Sequence, residues 1–179
     1  MLPATHFEAN DGVVRCPALD DRLGAYILID LLPSLGVYFD LLLTDAEEQG
    51  RSTAAYFKPP RAYNWMFSFD RAGTDVVLYQ YENRDLRELL QKNGFSVGLG
   101  SRSDIAYLGH LGCKGMNVGC GYHGAHRPTC HMILSETETM VSQFAAFWRL
   151  YAATPLPHRS QPPGAGRRSG RRYTDRAIE

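Results

Sequence analysis

Leu41-Leu42-Leu43-Thr44-Asp45-Ala46-Glu47-Glu48-Gln49-Gly50 is an apolar run, short enough for a buried strand, that ends in adjacent carboxylates and a glycine turn. Open α/β sheets gather their chemistry at such strand ends. Glu47 and Glu48 repel each other there, so a positive partner is needed, and a metal ion is the simplest one. A solvated acidic loop is the plain reading of an isolated Glu-Glu pair. The rest of the chain decides between the two.

Working outward, Tyr38 to Thr44 reads as the strand that delivers this pair. Arg51 to Phe57 reads as a helix stopped by Pro59-Pro60. Asn64 to Phe69 is a second strand, and it too ends on a carboxylate, in Asp70-Arg71-Ala72-Gly73. Upstream, Leu19-Asp20-Asp21-Arg22-Leu23-Gly24 opens a helical pattern through Tyr26, Ile27 and Leu31 that closes near Pro33. Its two aspartates are ordinary residues for a helix N-terminus. Residues 1 to 18 hold a candidate hairpin with Asn10-Asp11-Gly12 as the turn.

Further along, Val76 to Tyr81 is a third strand. Arg84 to Asn93 is an amphipathic helix with Leu86, Leu89 and Leu90 on one face and Gly94 as its stop. Phe95 to Leu99 is a short strand, and Ser101-Arg102-Ser103-Asp104 opens a helix through Ile105, Leu108 and Leu111. Met116-Asn117-Val118 enters the loop Gly119-Cys120-Gly121-Tyr122-His123-Gly124-Ala125-His126. Ser135-Glu136-Thr137-Glu138 is a capping box for a helix carrying Met140, Phe144, Phe147, Trp148 and Tyr151, an aromatic stripe that belongs to the core. Strands alternating with helices predict a three-layer α/β sandwich with a mostly parallel sheet and right-handed crossovers. Acids at three junctions and a glycine-flanked histidine at a fourth would then meet at one edge.

Composition narrows the function. The chain has 179 residues, enough for one domain with a proper core, and its 19 Lys plus Arg equal its 19 Asp plus Glu. No global field points to nucleic acid or to a membrane surface. Residues 1–153 form the expected domain, and 154–179 a disordered basic tail rich in Pro, Gly, Ser and Arg. No apolar run approaches the ~20 residues that span a bilayer, and no basic and apolar leader opens the chain, so a cytoplasmic location is expected. Cys16, Cys113, Cys120 and Cys130 are expected as reduced thiols. A rival reading groups Cys113, Cys120, His123, His126, Cys130 and His131 as a structural zinc knuckle, although their spacing matches no Cys-x-x-Cys hook.

Carboxylates mixed with imidazole suit zinc, cobalt or manganese, and a bridging carboxylate can hold two such ions ~3.5–4 Å apart. In a hydrolase built this way one carboxylate stays off the metal. It takes the proton of the attacking water and passes it to the leaving amine. Neighbours on one turn, Glu47 and Glu48 fit that division between base and ligand.

The series Leu-Asp-Asp-Arg-Leu-Gly (19–24), Glu-Glu-x-Gly (47–50), Asp-Arg-x-Gly (70–73), Ser-Asp (103–104) and Gly-Tyr-x-x-x-His (121–126) resembles the co-catalytic dinuclear zinc exopeptidases. That group holds zinc aminopeptidases, peptidase T and related carboxypeptidases, and the resemblance covers roughly residues 15 to 152. It implies that Asp20 bridges two metals and joins Asp21 by a cis peptide, that Glu47 is the general base, and that Glu48 and His126 hold one ion. Asp70 would hold the other. Asp104 would support the substrate end without a ligand role. The implied activity is hydrolysis of a peptide bond at a chain end, with a peptide as substrate and up to two zinc ions as cofactors.

Two departures qualify this. The family begins with a strand carrying His-x-Asp, and the sole candidate here, His6-Phe7-Glu8, lacks an apolar strand around it. The resemblance is therefore to an N-terminally shortened relative, with one complete ligand set (Asp20, Glu48, His126) and one reduced to Asp20 and Asp70. An inactive fragment serving as a binding or interaction module is the alternative. Lost strands would leave an exposed sheet edge, hence low stability or a homo-oligomer. Moreover, fifty-five residues lie between Asp70 and His126, too few for the separate dimerisation or lid domain some relatives insert.

Overall fold

A computed structural model describes residues 7–100 and 103–159. His6 and most of the basic tail, from residue 160 onward, lie outside the described residues.

The chain opens with a hairpin of β1 (Glu8–Asn10) and β2 (Val13–Arg15). Asp11 and Gly12 both take left-handed φ values, 48° and 76°, as a two-residue hairpin turn requires. Next comes α1 (Leu19–Tyr26), continued by a π turn over Ile27–Leu31 and the short α2 (Leu32–Ser34). The later elements are β3 (Met66–Arg71), β4 (Asp75–Val77), α3 (Arg84–Lys92), β5 (Ser96–Val97), β6 (Gly115–Gly119), β7 (Tyr122–His123), β8 (His131–Ile133) and α4 (Leu134–Tyr151).

The strands form two sheets. One is antiparallel throughout, in the order β1-β2-β8-β7, and the other is mixed, in the order β3-β6-β4-β5. In the second, β3 runs parallel to β6 and β4 parallel to β5, while β4 and β6 are antiparallel. The architecture is α/β, but the mostly parallel sheet expected from sequence is not what the ladders show. Short connections account for part of this: β1–β2 and β7–β8 are joined without a helix and pair antiparallel, whereas β4 and β5, joined through α3, run parallel.

Side-chain alternation gives the mixed sheet two faces. Met116 and Val118 of β6 join the main core with Phe69, Leu86, Leu90, Phe144 and Phe147. The aromatic stripe of α4 packs here, with Phe144 4.5 Å from Phe67 and Phe147 5.6 Å from Trp65, ring centre to ring centre. On the other face, Ile105 and Tyr81 close over Gly115. Gly24 fixes the position of α1: a Cβ there would lie 1.7 Å from the Phe69 carbonyl oxygen, so only glycine lets the helix backbone rest on β3.

Several local expectations change. Residues 38–44, expected as the first strand, take no regular secondary structure and join no sheet among the described residues, and Tyr38, Leu41 and Leu43 stand exposed. The sequence has a strand's apolar content, yet the neighbour that would complete the pairing is not beside it. β3 is accordingly an outer strand of its sheet. The helix expected at Arg51 to Phe57 is a 3-10 turn over Thr53–Tyr56, and the one after Ser103 is a 3-10 run, Asp104–Leu111. Met116-Asn117-Val118, expected as a loop entry, lies within β6. The capping box at Ser135 does not form: α4 starts at Leu134 with no side-chain cap, and Glu136 and Thr137 bond instead to His123 and the Cys120 carbonyl. No described helix is long and apolar enough to cross a membrane.

Candidate metal centre

Asp20 heads α1 in a non-helical conformation (φ −85°, ψ 112°), and its peptide bond to Asp21 is cis. Because Gly24 presses α1 onto Phe69, the head of the helix comes to the end of β3, where Asp70 follows. Asp70 sits at a register shift between Phe69 and Arg71, and its backbone N–H donates to the Asn117 side chain at 3.1 Å.

Glu47 and Glu48 ride on a 3-10 turn, Glu47–Gln49, bracketed by left-handed residues Ala46 (φ 71°) and Gly50 (φ 70°). Side chains around the turn hold it in place. The Asp104 carboxylate accepts from the hydroxyls of Thr44 and Ser52, one on each side of the turn. Tyr107 donates its hydroxyl to the Gly50 carbonyl at 2.9 Å, and Thr53 Oγ1 accepts from Asp45 N–H at 2.9 Å. His126 approaches from the β7–β8 loop, itself left-handed at φ 59°.

One donor atom from each of Asp20, Glu48 and His126 lies within 4.8 Å of the others. His126 Nε2 is 3.5 Å from Asp20 Oδ2, and its Nδ1 is 3.8 Å from Glu48 Oε1. Tetrahedral zinc with bonds of about 2.0–2.2 Å spaces its ligands by roughly 3.3–3.6 Å. The two short distances use different nitrogens of the His126 ring; with one nitrogen serving, the three donors spread over as much as 4.8 Å, so the exposed Glu48 and His126 side chains would draw in to hold such an ion. The Asp20 side chain is 10% exposed, against 72% for Glu48 and 66% for His126, so the group opens outward.

Asp70 lies deeper. Burial pushes its carboxyl up to about 7, the charges of Asp20, Glu47 and Asp104 push the same way, and a hydrogen bond from Ser103 opposes them. Four carboxylates thus crowd one another around Asp70. Among the described residues, no third metal-ligating side chain converges with Asp20 and Asp70.

The structure therefore brings Asp20, Glu47, Glu48, Asp70, Asp104 and His126 to one rim. Asp21, one residue beyond the cis bond, lines the cavity next to it. Sequence reasoning overlooked Ser103, Tyr79, Asn117 and Tyr122 as parts of the site. Asn117 Nδ2 donates to the Tyr79 hydroxyl at 3.2 Å. Tyr122 stands near Asp20, and burial together with the charge of Asp20 pushes its phenol upward. One clue was available: Asn117 is a lone amide between apolar Met116 and Val118. The zinc knuckle does not assemble, since Cys113 bridges to Pro157 and Cys120 is buried in the core, away from His126.

No protein-family model and no curated protein sequence matches this chain. Two solved structures share its fold. PhTET1-12s, solved as a dodecamer, matches with a TM-score of 0.53 at 19% identity, over 84% of this chain and 54% of its own. A crystal structure provisionally assigned as a peptidase/endoglucanase matches with a TM-score of 0.51 at 14% identity, over 78% of this chain and 52% of its own. This chain spans about half the length of each. At such identities the likeness is one of fold, and the fold is peptidase-like.

Proposed function

We propose that the chain hydrolyses a peptide bond at the end of a peptide, with Asp20, Glu48 and His126 holding a zinc ion and Glu47 acting as general base. Cobalt or manganese would suit the same donors. The observation that carries this reading is the convergence of those three donors within 4.8 Å, with Glu47 on the same turn as Glu48. When bound, zinc supplies a Lewis acid that acidifies water and polarises the scissile carbonyl.

The chain's own residues supply the rest. Asp20, least exposed of the three, anchors the group, with the buried Tyr122 beside it. Glu47 accepts the proton of the attacking water on its carboxylate and returns it to the leaving amine. Asp104 keeps the Glu47–Glu48 turn in register through Thr44 and Ser52. A cavity of about 670 Å³ opens beside Asp70 and Asp104, lined by Leu42, Trp65, Phe67 and Leu108, and it suits an apolar side chain of the substrate. Asp20 and Asp70 would share a second ion, held by fewer donors and hence weakly. A cytosolic setting, where thiols stay reduced, belongs to the same reading.

The test is release of nitroaniline from aminoacyl-nitroanilides with added zinc or cobalt, alongside metal content by elemental analysis. Metal-dependent turnover that vanishes in Glu47→Gln is expected. Tight zinc binding without turnover would overturn the enzyme reading and favour the second one, a binding module on a peptidase-like fold. The sparse donor set around Asp70 is what speaks for that alternative.

A further inference from the structure

Cys16 and Cys130 face each other across the antiparallel ladder of β2 and β8. The register pairs Val14 with Met132 and Arg15 with His131, and the next step sets Cys16 opposite Cys130. There the Cys16 N–H donates to the Cys130 carbonyl at 3.1 Å. The pair lies one step past the end of the ladder, and the Cys130 N–H turns away to the Arg127 carbonyl at 3.0 Å, so a single backbone bond joins the two residues; in a full ladder pair the Cα atoms are about 5.5 Å apart with side chains on one face. Disulfides span Cα separations of about 4.4–6.8 Å, a range that includes the ladder spacing. Both thiols are free.

Their surroundings differ. Cys130 is buried, which pushes its thiol upward; the nearby Asp20 backbone opposes this, while the charges of Asp20 and Cys16 add to the rise. Cys16 is half-buried and reachable from solvent. The pair also stands in a telling place: Cys16 precedes Asp20 by four residues (20 − 16), and Cys130 follows His126 by four (130 − 126).

We propose that Cys16 and Cys130 are a redox-sensitive pair whose disulfide clips the His126 loop to the segment leading into Asp20. A low-molecular-weight disulfide such as glutathione disulfide is the oxidant. The Cys16 thiolate attacks one of its sulfurs, breaking the S–S bond, releasing one glutathione thiolate and leaving a mixed disulfide on Cys16. Cys130 then gives up its proton and attacks the Cys16 sulfur, expelling the second glutathione. Two protein thiols are oxidised, and one glutathione disulfide is reduced to two thiols. The cross-link restricts the loop by tying its Cys130 end covalently to the segment that leads into Asp20. None of this requires a metal in the carboxylate–histidine group.

The full chain, reduced and then incubated with glutathione disulfide, is digested without reductant and mapped by mass spectrometry. A Cys16–Cys130 link is expected, with Cys113 and Cys120 still alkylatable. Amide exchange over residues 124–130 is expected to slow by about tenfold in the linked form. Cys130→Ala should leave glutathione stably on Cys16, and Cys16→Ser should abolish both the link and the slowing. Glutathione retained on Cys16 of the unmutated chain with Cys130 free, or a link with unchanged exchange over 124–130, overturns the proposal.

Discussion

The Ser103 hydroxyl donates to the Asp70 carboxylate at 3.2 Å, yet burial beside Asp20, Glu47 and Asp104 still pushes that carboxyl up to about 7. A raised carboxyl means the folded chain holds this proton more tightly than the unfolded one. Its contribution to stability is fully present below the unfolded value near 3.8 and is lost as pH rises through about 7. The metal-free protein should therefore lose stability, by a few kcal/mol at most, between about pH 4 and 7. Asp70→Asn should remove that loss and raise the melting temperature at pH 7.5. Thermal unfolding across this range checks it, and an unchanged or lower melting temperature in the variant would contradict it.

Glu47→Gln keeps the shape of the turn while deleting the base. Turnover should fall by roughly 10²–10⁴-fold, with zinc content unchanged. His126→Ala should do the reverse in order of cause, losing zinc first and activity with it. Calorimetric zinc titration of the two variants separates them.

Asp104 binds both ends of the loop that presents Glu48. Asp104→Ala leaves the hydroxyls of Thr44 and Ser52 without their charged acceptor, at a cost of about 1.5–3 kcal/mol for each such bond at most. The chain should unfold at lower denaturant concentration and bind zinc more weakly, although Asp104 touches no ion. Equal zinc affinity in wild type and variant would refute a positioning role.

Gly24→Ala should be among the most damaging single changes. A methyl group 1.7 Å from the Phe69 carbonyl forces α1 off β3, costing about 3 kcal/mol or more by the usual scale of overpacking. Asp20 would move away from Asp70 in the same step. Zinc binding by a soluble Gly24→Ala protein with wild-type affinity and melting temperature would contradict this account of the helix.

The unpaired ribbon 38–44 and the outer strand β3 leave edges that another chain can pair with. Association in solution is expected, and Leu43→Lys, which puts a charge on the ribbon, should shift sedimentation toward the monomer. A heat-stable monomer at high concentration would remove this expectation.

How far the sequence carried these conclusions varies by element. α3 and α4 follow from strong local signals, a polar face opposite leucines in one and an aromatic stripe in the other, and β3 from aromatics at every second position (Trp65, Phe67, Phe69). The hairpin follows from Asp11-Gly12. The ribbon 38–44 did not, because its apolar residues say nothing about whether a neighbouring strand is present to pair with. The meeting of Asp20, Glu48 and His126 was legible only as an ordered series of short motifs, since each acid alone reads as a cap or a solvated turn. Ser103 and Tyr122 were hidden inside motifs whose acids and histidine drew the attention. Tyr79 acts through a left-handed backbone that no neighbouring residue type announces.

The uneven exposure of the three donors, one largely covered at the head of α1 and two standing in solvent, bears on kinetics more than on equilibrium. A chelator can engage an ion from the Glu48 and His126 side before Asp20 lets go, so stripping should accelerate with chelator concentration instead of waiting on spontaneous release. Such a centre would load and empty with its surroundings, and its occupancy would follow the free metal around it.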